Sequence, residues 1–267
     1  MQINLTNMKT SIFIQVFAGF VINLIGQSGS IESTAHEWNS LAIEQTEYGE
    51  KRAIFQGRSD GFDYLDANAI TLGGMTSTPW VQVPKDFEEL LIIKEGTVQY
   101  VTNQKSDTLG AGSVVLGFSK NEYKIENSKE LKATYYIIRW KNVKGGNRID
   151  DGVWQPIVKN WNNIEFQKTA KGGRRNVIRE PTSQLSEFEM HVTTLNEGEK
   201  SHDPHTHIEE EIILVQFGEV EELIDGNPYR VGAGSLIFLR SNIPHGIKNI
   251  GKGQCQYYAF KWKIPKI

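Results

Sequence analysis

The chain has 267 residues, a formal net charge of −3 and a sequence isoelectric point of about 6.1. This balance argues against a nucleic-acid-binding protein, because such proteins concentrate basic residues on one face. The single cysteine, Cys255, excludes an internal disulfide and leaves the redox compartment open. We expect Cys255 to be a buried, small apolar residue, since no basic neighbour in sequence would lower the pKa of its thiol.

Residues 1–30 have the three-part layout of an export signal. Lys9 precedes an apolar run over residues 11–25, and small polar residues follow at 26–30. Two polar residues interrupt the apolar run, which makes it short for a membrane-spanning helix, the alternative interpretation. We therefore expect cleavage and export, to the periplasm or out of the cell, with no membrane attachment afterwards.

The rest of the chain indicates an all-β protein. Short runs of β-branched and aromatic residues alternate with Gly, Asn and Asp, and no long amphipathic helix is evident. The predicted strands are residues 90–93, 98–101, 113–116, 133–140, 188–195, 212–216, 235–239 and 256–262.

Two parts of the chain repeat each other at a constant offset of 122 residues. Residues 88–96 are similar to residues 210–218, and the same register still aligns Trp140 with Trp262 without a gap. Unrelated sequences would not hold register over such a length, so the repeat predicts two copies of one β domain.

The repeat divides the chain after the leader into three predicted segments. The first domain covers residues 31–141 and the second covers residues 173–267, a length that suits two domains of ordinary size. Residues 142–172 form the predicted linker. It contains Trp154 and Trp161 between glycine pairs, so we expect it to pack across the domains.

Three histidines and one glutamate of the second copy form a candidate metal site. His205 and His207 share a face of extended backbone, and the four-residue step to Glu211 across a turn brings a third ligand back. A later antiparallel strand can place His245 opposite them. This mixed set of nitrogen and oxygen donors suits Mn, Fe, Ni, Co or Zn. Solvated surface histidines are the alternative interpretation.

These residues resemble the two sequence motifs of the cupin family. The first motif runs Gly-x5-His-x-His-x3,4-Glu-x6-Gly, and the second runs Gly-x5-Pro-x-Gly-x2-His-x3-Asn. The matching positions are His205, His207, Glu211 and Gly218 for the first motif, and Gly234, His245 and Asn249 for the second.

Three positions depart from the family pattern. Arg240 and Asn242 stand at the Pro and Gly of the second motif, and six residues instead of five separate Gly198 from His205. Every metal-ligand position nevertheless agrees. The resemblance implies two tandem cupin domains, each a double-stranded β-helix or jelly-roll barrel, with one divalent metal ion in the second.

The first copy lacks most of these ligands. The alignment places Val83, Lys85 and Tyr123 at the three histidine positions and leaves Glu89 as the one ligand-type residue. We expect a structural salt bridge between Lys85 and Glu89. The first copy is thus predicted to serve as a packing partner without a metal site.

The resemblance implies a metal-dependent enzyme that acts on a small oxygenated organic substrate, with dioxygenase chemistry as the first hypothesis. An oxygen-independent lyase, isomerase or hydrolase acting on a sugar-acid derivative is the alternative. A carbohydrate- or metal-binding module without turnover is the rival class. The expected partner is a small molecule, and the quaternary state is open, with a homodimer as one alternative.

Two residues are candidates for substrate binding. Arg240 can hold a carboxylate with two hydrogen bonds, and His191 lies in the strand before the first motif. The alternatives are that Arg240 caps a strand end and that His191 points outward. The other acidic residues near the motif are expected to be exposed edge-strand charges: Glu209, Glu210, Glu219, Glu221 and Glu222.

Overall fold

The computed structural model describes residues 29–143 and 154–265 of the chain. Nearly all of the predicted export signal lies outside these residues. Within the described ranges, no helix is long and apolar enough to cross a membrane. Two short 3-10 helices, Trp38–Ser40 and Trp161–Asn163, accompany a chain built of strands.

The strands confirm the prediction of an all-β fold, and each predicted run overlaps a strand of the structure. In chain order they are β1 (Thr34–His36), β2 (Glu44–Thr46), β3 (Gly49–Gly57), β4 (Phe62–Leu72), β5 (Thr76–Ser77), β6 (Val81–Gln82), β7 (Glu88–Glu95), β8 (Thr97–Val101), β9 (Ser106–Gly110), β10 (Val114–Phe118), β11 (Glu122–Asn127), β12 (Ala133–Asn142), β13 (Ile157–Lys159), β14 (Gln167–Thr169), β15 (Gly172–Glu180), β16 (Glu187–Leu195), β17 (Glu211–Phe217), β18 (Val220–Ile224), β19 (Asn227–Val231), β20 (Leu236–Leu239), β21 (His245–Asn249) and β22 (Cys255–Lys263).

Each domain consists of a large and a small antiparallel sheet, the arrangement of a jelly roll. The large sheet of the first domain has the order β13-β10-β7-β12-β4-β3-β2, and that of the second has the order β1-β20-β17-β22-β16-β15-β14. The small sheets are β5-β11-β8-β9, with β6 paired to β11, and β19-β18-β21. The matching strand orders show that the sequence repeat is a structural repeat.

Both faces of each large sheet are buried. Leu90 and Ile92 of β7 lie in a hydrophobic core shared by the two domains, whereas Leu91 and Ile93 lie in the interior of the first domain. Alternate residues of a strand point to opposite faces, so a strand buried on both sides needs an almost continuous apolar run. This explains the unbroken apolar sequence of β7, and β17 of the second domain follows the same rule.

One edge strand of each domain does not come from that domain's own sequence. It comes from a segment that lies, in sequence, just before the other domain. The N-terminal arm (residues 31–41) contributes β1, which pairs with β20 of the second domain. The central arm (residues 154–164) contributes β13, which pairs with β10 of the first domain. Residues 34–36 of the predicted first domain thus lie in the second domain's sheet. The described part of the predicted linker contains β13, which belongs to the large sheet of the first domain.

Both arms are anchored in the same way. Trp38 packs over Gly234, and Trp161 packs over Gly112. A Cβ atom at either glycine would lie within 3 Å of the tryptophan ring, and both glycines have a positive φ, 92° and 87°. Only glycine satisfies both conditions without strain. The spacing of tryptophan against glycine therefore fixes where each arm docks.

In each domain, one buried glutamate accepts hydrogen bonds from a loop of the other domain. Glu88 accepts hydrogen bonds from the side chains of Thr182 and Ser183 and from the backbone N–H of Gln184. Glu210 does the same for the loop at residues 59–61. The prediction that Glu210 is an exposed edge charge is therefore wrong, because it is 3% exposed and bonded across the domain interface.

Candidate metal centre

The strands of the second domain bring its histidines together. His205 lies before β17, and His245 is the first residue of β21. Their backbones form an isolated antiparallel bridge, in which each N–H donates to the carbonyl of the other at 3.1 and 3.0 Å. The bridge places the two side chains next to each other, although they are forty residues apart in sequence.

A tight turn holds the next ligand in place. The backbone N–H of Asn242 donates to the carbonyl of His207 at 2.8 Å, and Asn242 itself has a φ of 61°. Asparagine is one of the few residues other than glycine that adopts this left-handed conformation readily. The departure from the family's Gly at this position therefore leaves the turn intact.

The four predicted ligands converge on one point. Ligand nitrogens of His205, His207 and His245 all lie within 4.8 Å of one another. The carboxylate oxygen Oε2 of Glu211 lies 3.0 Å from Nε2 of His207 and 3.4 Å from Nε2 of His245. Glu211 and His245 are buried, whereas His205 lies at the exposed rim. The arrangement gives a cavity with a closed floor and an open side.

Backbone carbonyls fix which ring nitrogen of two histidines faces the cavity. Nδ1 of His207 lies 2.8 Å from the carbonyl of Glu209, and Nδ1 of His245 lies 2.8 Å from that of Ile243. A carbonyl oxygen can only accept, so Nδ1 carries the proton in both rings. In the neutral rings, Nε2 therefore presents a lone pair to Glu211.

This geometry requires a positive charge among the four side chains. A neutral Nε2 of His207 would face a carboxylate oxygen at 3.0 Å, with lone pair against lone pair. Nε2 of His245 is buried and has no hydrogen-bond partner among the described residues. A proton on His207 relieves the first contact, and a metal ion would satisfy both nitrogens at once. The residues present thus fit a divalent transition metal.

Electrostatics keep the carboxylate ionised. Burial alone would raise the pKa of Glu211, but the adjacent His207 and His245 rings outweigh it and lower the pKa to about 2. The bond to Glu211 raises the pKa of His207. Burial, together with the neighbouring histidines, lowers the pKa of His205. An ionised carboxylate and neutral imidazoles are the protonation states that metal binding needs.

The cavity around these side chains has a volume of about 240 Å³. His191, one of the two predicted substrate-binding residues, lies in its wall, where burial and the charge of Arg174 lower the pKa of its ring to about 4. The imidazole is therefore neutral at physiological pH. Arg174 and Lys261 also line the cavity and bring positive charge to it.

The other predicted substrate-binding residue, Arg240, lies elsewhere. Its guanidinium donates to Glu32 at 3.1 Å and to Asp60 at 2.9 Å, and its backbone N–H bonds to Ser33. The structure does not bring this side chain to the histidine cavity. Arg240 instead connects the N-terminal arm and the first domain to the second domain.

Sequence reasoning missed Glu222, which also lines the cavity. The prediction of an exposed charge is wrong, because Glu222 is 0% exposed and neither carboxyl oxygen has a hydrogen-bond partner among the described residues. Burial and the nearby charge of Glu211 raise its pKa well above the ordinary value. The alternation of β18 could have revealed it, since Val220, Glu222 and Ile224 share the inward face.

The first domain holds a different set of groups at the equivalent position. Glu89 is 1% exposed and accepts hydrogen bonds from the Tyr123 hydroxyl and from Nε of Arg139, the latter at 2.7 Å. The predicted salt bridge between Lys85 and Glu89 is therefore wrong. Lys85 is exposed, and Arg139 reaches Glu89 from the neighbouring strand, where the two residues are directly paired.

The comparisons with known proteins agree with this description. The family model "Cupin domain" matches residues 191–261. No curated protein sequence matches the chain. Among solved structures, Ylba from E. coli is similar with a TM-score of 0.69 and 13% sequence identity, over 91% of this chain and 97% of that one.

Two further solved structures share the fold. A mutant of the oxalate decarboxylase OxdC from Bacillus subtilis has a TM-score of 0.65 and 12% identity, over 90% of this chain and 80% of its own. AerE from Microcystis aeruginosa has a TM-score of 0.61 and 10% identity, over 83% and 97%. At such identities the likeness shows the fold alone.

Fold and site define a protein of two jelly-roll domains, one of which encloses a cluster of histidines around a buried carboxylate. The second domain matches the family model "Cupin domain", and the solved structures share the fold of both domains.

Proposed function

We propose that the second domain binds one divalent transition metal ion through His205, His207, Glu211 and His245, and that the protein is a metal-dependent enzyme acting on a small oxygenated organic molecule. The observation that carries this proposal is the position of Glu211 Oε2 against two imidazole Nε2 atoms that hold lone pairs toward it. The ion would be Mn, Fe, Ni, Co or Zn.

When bound, such an ion supplies Lewis-acid polarisation and open coordination positions for substrate oxygens. Side chains in the cavity wall supply charge and proton transfer. Lys261 provides positive charge for an oxygen-rich or acidic substrate, and Arg174, which pairs with Glu189 at 3.3 Å, also lies in the wall. Glu222, with its raised pKa, is positioned to hold a proton inside the cavity. Neutral His191 can accept one.

The cavity volume favours a small substrate. About 240 Å³ lies below the usual range for drug-sized ligands, roughly 300–1,000 Å³. One structural relative is, by its name, an oxalate decarboxylase, so a similar fold serves an enzyme of a small dicarboxylic acid. We therefore propose a small oxygenated acid as the substrate class, with dioxygenase-type chemistry as the first reaction to test.

An oxygen-independent lyase or isomerase is the second candidate. The specific observation in its favour is that a proton acceptor, neutral His191, and a proton-holding group, Glu222, line the cavity together with the histidine cluster. Proton transfer at a carbon next to a carboxylate needs an acid and a base but no oxidant. The same pair would be dispensable for a purely oxidative reaction.

The test begins with elemental analysis of purified protein, followed by oxygen uptake with a panel of catechols, flavonols and keto acids. We expect about one metal ion per chain, and its loss in Glu211→Ala. Oxygen consumption with one panel member supports the dioxygenase, and product without oxygen consumption supports the lyase or isomerase. A protein that contains no metal, even after divalent ions are supplied, contradicts the proposal.

We further propose that the protein is exported. The support is the charged, apolar and small-residue layout of residues 1–30. Expression of the full chain in a Gram-negative host, with N-terminal sequencing of the periplasmic fraction, tests this. A mature N-terminus near residue 30 is expected. Full-length protein confined to the cytoplasm contradicts export.

A further inference from the structure

The first domain encloses the larger of the two cavities described here, about 490 Å³ in volume. It occupies the place of the histidine cavity, because Tyr123 and Arg139 in its wall correspond in the repeat to His245 and Lys261. Its lining contains no histidine or cysteine among the described residues. Borderline-soft transition metals prefer such ligands, so this cavity does not suit one.

Two buried polar residues, Tyr123 and Arg139, line this cavity and bond to Glu89. Glu89 is held by Tyr123 and Arg139, and these residues are 1%, 2% and 8% exposed. Hydrophobic side chains would usually fill an interior at lower free-energy cost than a buried ion pair. A domain that served only for packing would have no need to keep charged groups around an open space.

One carboxylate oxygen in this cavity has an unused hydrogen-bonding capacity. Asp66 is 6% exposed, and its Oδ2 accepts from Nδ2 of Asn68 at 2.9 Å. Its Oδ1 is buried and has no hydrogen-bond partner among the described residues. Buried polar atoms in native proteins are almost always paired, so an unpaired acceptor in a cavity wall indicates a position for a ligand donor.

Aromatic rings cover the remaining wall. Tyr48, Phe55, Tyr64 and Tyr135 line the cavity from three different strands and a turn. Flat aromatic faces pack against the C–H faces of saturated rings, while nearby planar polar side chains bond to their hydroxyl groups. The first domain thus combines stacking surfaces with hydrogen-bond acceptors.

The charge of the lining is balanced and offers an anionic ligand no surplus of positive charge. Glu44 and Asp66 equal Lys51 and Arg139 in number, and Arg139 is already bonded to Glu89. A neutral molecule with several hydroxyl donors matches this surface better than a carboxylate or phosphate does.

We infer that the cavity of the first domain is a second binding site, which takes a small, neutral, polyhydroxylated molecule such as a monosaccharide or cyclitol without a metal ion. Asp66 and Asn68 bind its hydroxyl groups, and the tyrosine rings hold its apolar face. This inference does not depend on the metal centre or on the proposed reaction of the second domain.

Calorimetric titration of the metal-free full chain with D-glucose, D-galactose, myo-inositol and oxalate tests the inference. The titration is done on the His207→Ala variant, which removes a proposed metal ligand of the second domain. A failure of the metal proposal therefore cannot affect the result. We expect binding of at least one of the three neutral probes and a weaker response to oxalate.

Two variants locate the binding. Asp66→Asn keeps the side-chain shape but removes the charged acceptor, and we expect affinity to fall about ten- to hundredfold. Ala53→Trp adds a ring at the exposed mouth of the cavity, beside its cross-strand partner Asn68, and should abolish binding. The matched control is Asp63→Asn on the same strand β4, outside the cavity, which should bind like the parent.

The inference is overturned if none of the neutral probes binds, if oxalate alone binds, or if binding survives both Asp66→Asn and Ala53→Trp. Urea unfolding of each variant verifies that it is folded before titration. If Asp66→Asn fails to fold, Ala53→Trp against Asp63→Asn still decides the outcome.

Discussion

The Tyr123 hydroxyl donates a hydrogen bond to Glu89, and this pair holds in the first domain the place that His245 and Glu211 hold in the second. In both domains a buried carboxylate faces a cationic or proton-donating group. The guanidinium of Arg139 supplies the charge beside Glu89. Beside Glu211, the positive charge comes from a proton on a histidine ring or from a bound metal ion.

Metal addition should stabilise the protein through the second domain. We expect the thermal midpoint of chelator-treated protein to rise on addition of a divalent transition metal, because an ion held only by the native state adds roughly 3–4 kcal/mol at 100–1,000 times its Kd. His207→Ala should lose this rise. His36→Ala, which changes a histidine of the N-terminal arm, should keep it. Equal rises in both variants would place the ion elsewhere.

Glu222→Gln should separate stability from activity. The substitution removes a buried carboxyl group without a hydrogen-bond partner among the described residues, so we expect unchanged or higher resistance to urea. Loss of the proton it carries should lower turnover by about 100-fold if the reaction needs a general acid. Full activity in this variant would exclude Glu222 from the chemistry. Glu219→Gln, at the exposed glutamate that precedes β18, provides the control.

Glu88→Gln should weaken the contact between the domains. Glu88 accepts four hydrogen bonds, one of them from the Trp140 ring at 2.8 Å, and an amide would point N–H groups at donors. We expect a loss of about 1–3 kcal/mol in the free energy of unfolding, measured with urea. Glu122→Gln, at an exposed glutamate of the same domain, should stay within about 0.5 kcal/mol of wild type.

Gly112→Ala should displace the central arm. The new Cβ would lie 2.5 Å from the Trp161 ring, in addition to the strain of a positive φ. Gly226→Ala is a matched control, because Gly226 has a φ of 79° but no heavy atom of the described residues within 4 Å of an added Cβ. We expect Gly112→Ala to cost about 1–3 kcal/mol more than Gly226→Ala in urea unfolding. Equal costs would show that Trp161 does not fix the arm.

Asp66→Asn should change the pH dependence of stability. Burial raises the pKa of Asp66 above its ordinary value of 3.8, although Arg139 and Asn68 oppose the rise. The unfolded chain therefore releases this proton first, and wild-type stability falls as the pH rises from near 3.8 toward the folded-state value. The variant lacks this loss, so its stability relative to wild type should grow as the pH rises from 4 to 7. Asp63→Asn, on the same strand, provides the comparison.

Much of the fold could be predicted from the sequence because its signals are local or repeated. The apolar run of β17 and its counterpart in β7 require strands buried on both faces, and the constant offset requires two equivalent domains. The spacing of His205, His207 and Glu211 likewise predicted which side chains converge, since neighbours along a strand and across a turn are fixed by backbone geometry.

The missed features depend on pairing between distant parts of the chain. Arg139 reaches Glu89 because β12 pairs with β7, an order that the sequence does not state. Arg240 bonds to Glu32 and Asp60, more than a hundred residues away, so its proximity to the second motif predicted nothing about its contacts. The burial of Glu222 could have been predicted, because alternate residues of β18 point inward and Glu222 lies between the inward-facing Val220 and Ile224.

The exchange of arms has a consequence for how the protein can be divided. A fragment that starts after the central arm would lack β1, and the backbone groups of β20 that pair with Thr34–His36 would be left open. Such an uncovered strand recruits other chains. Expressed alone, either half should therefore be insoluble or self-associating, and mixing separately produced halves should restore a soluble heterodimer only when each carries the arm its neighbour needs.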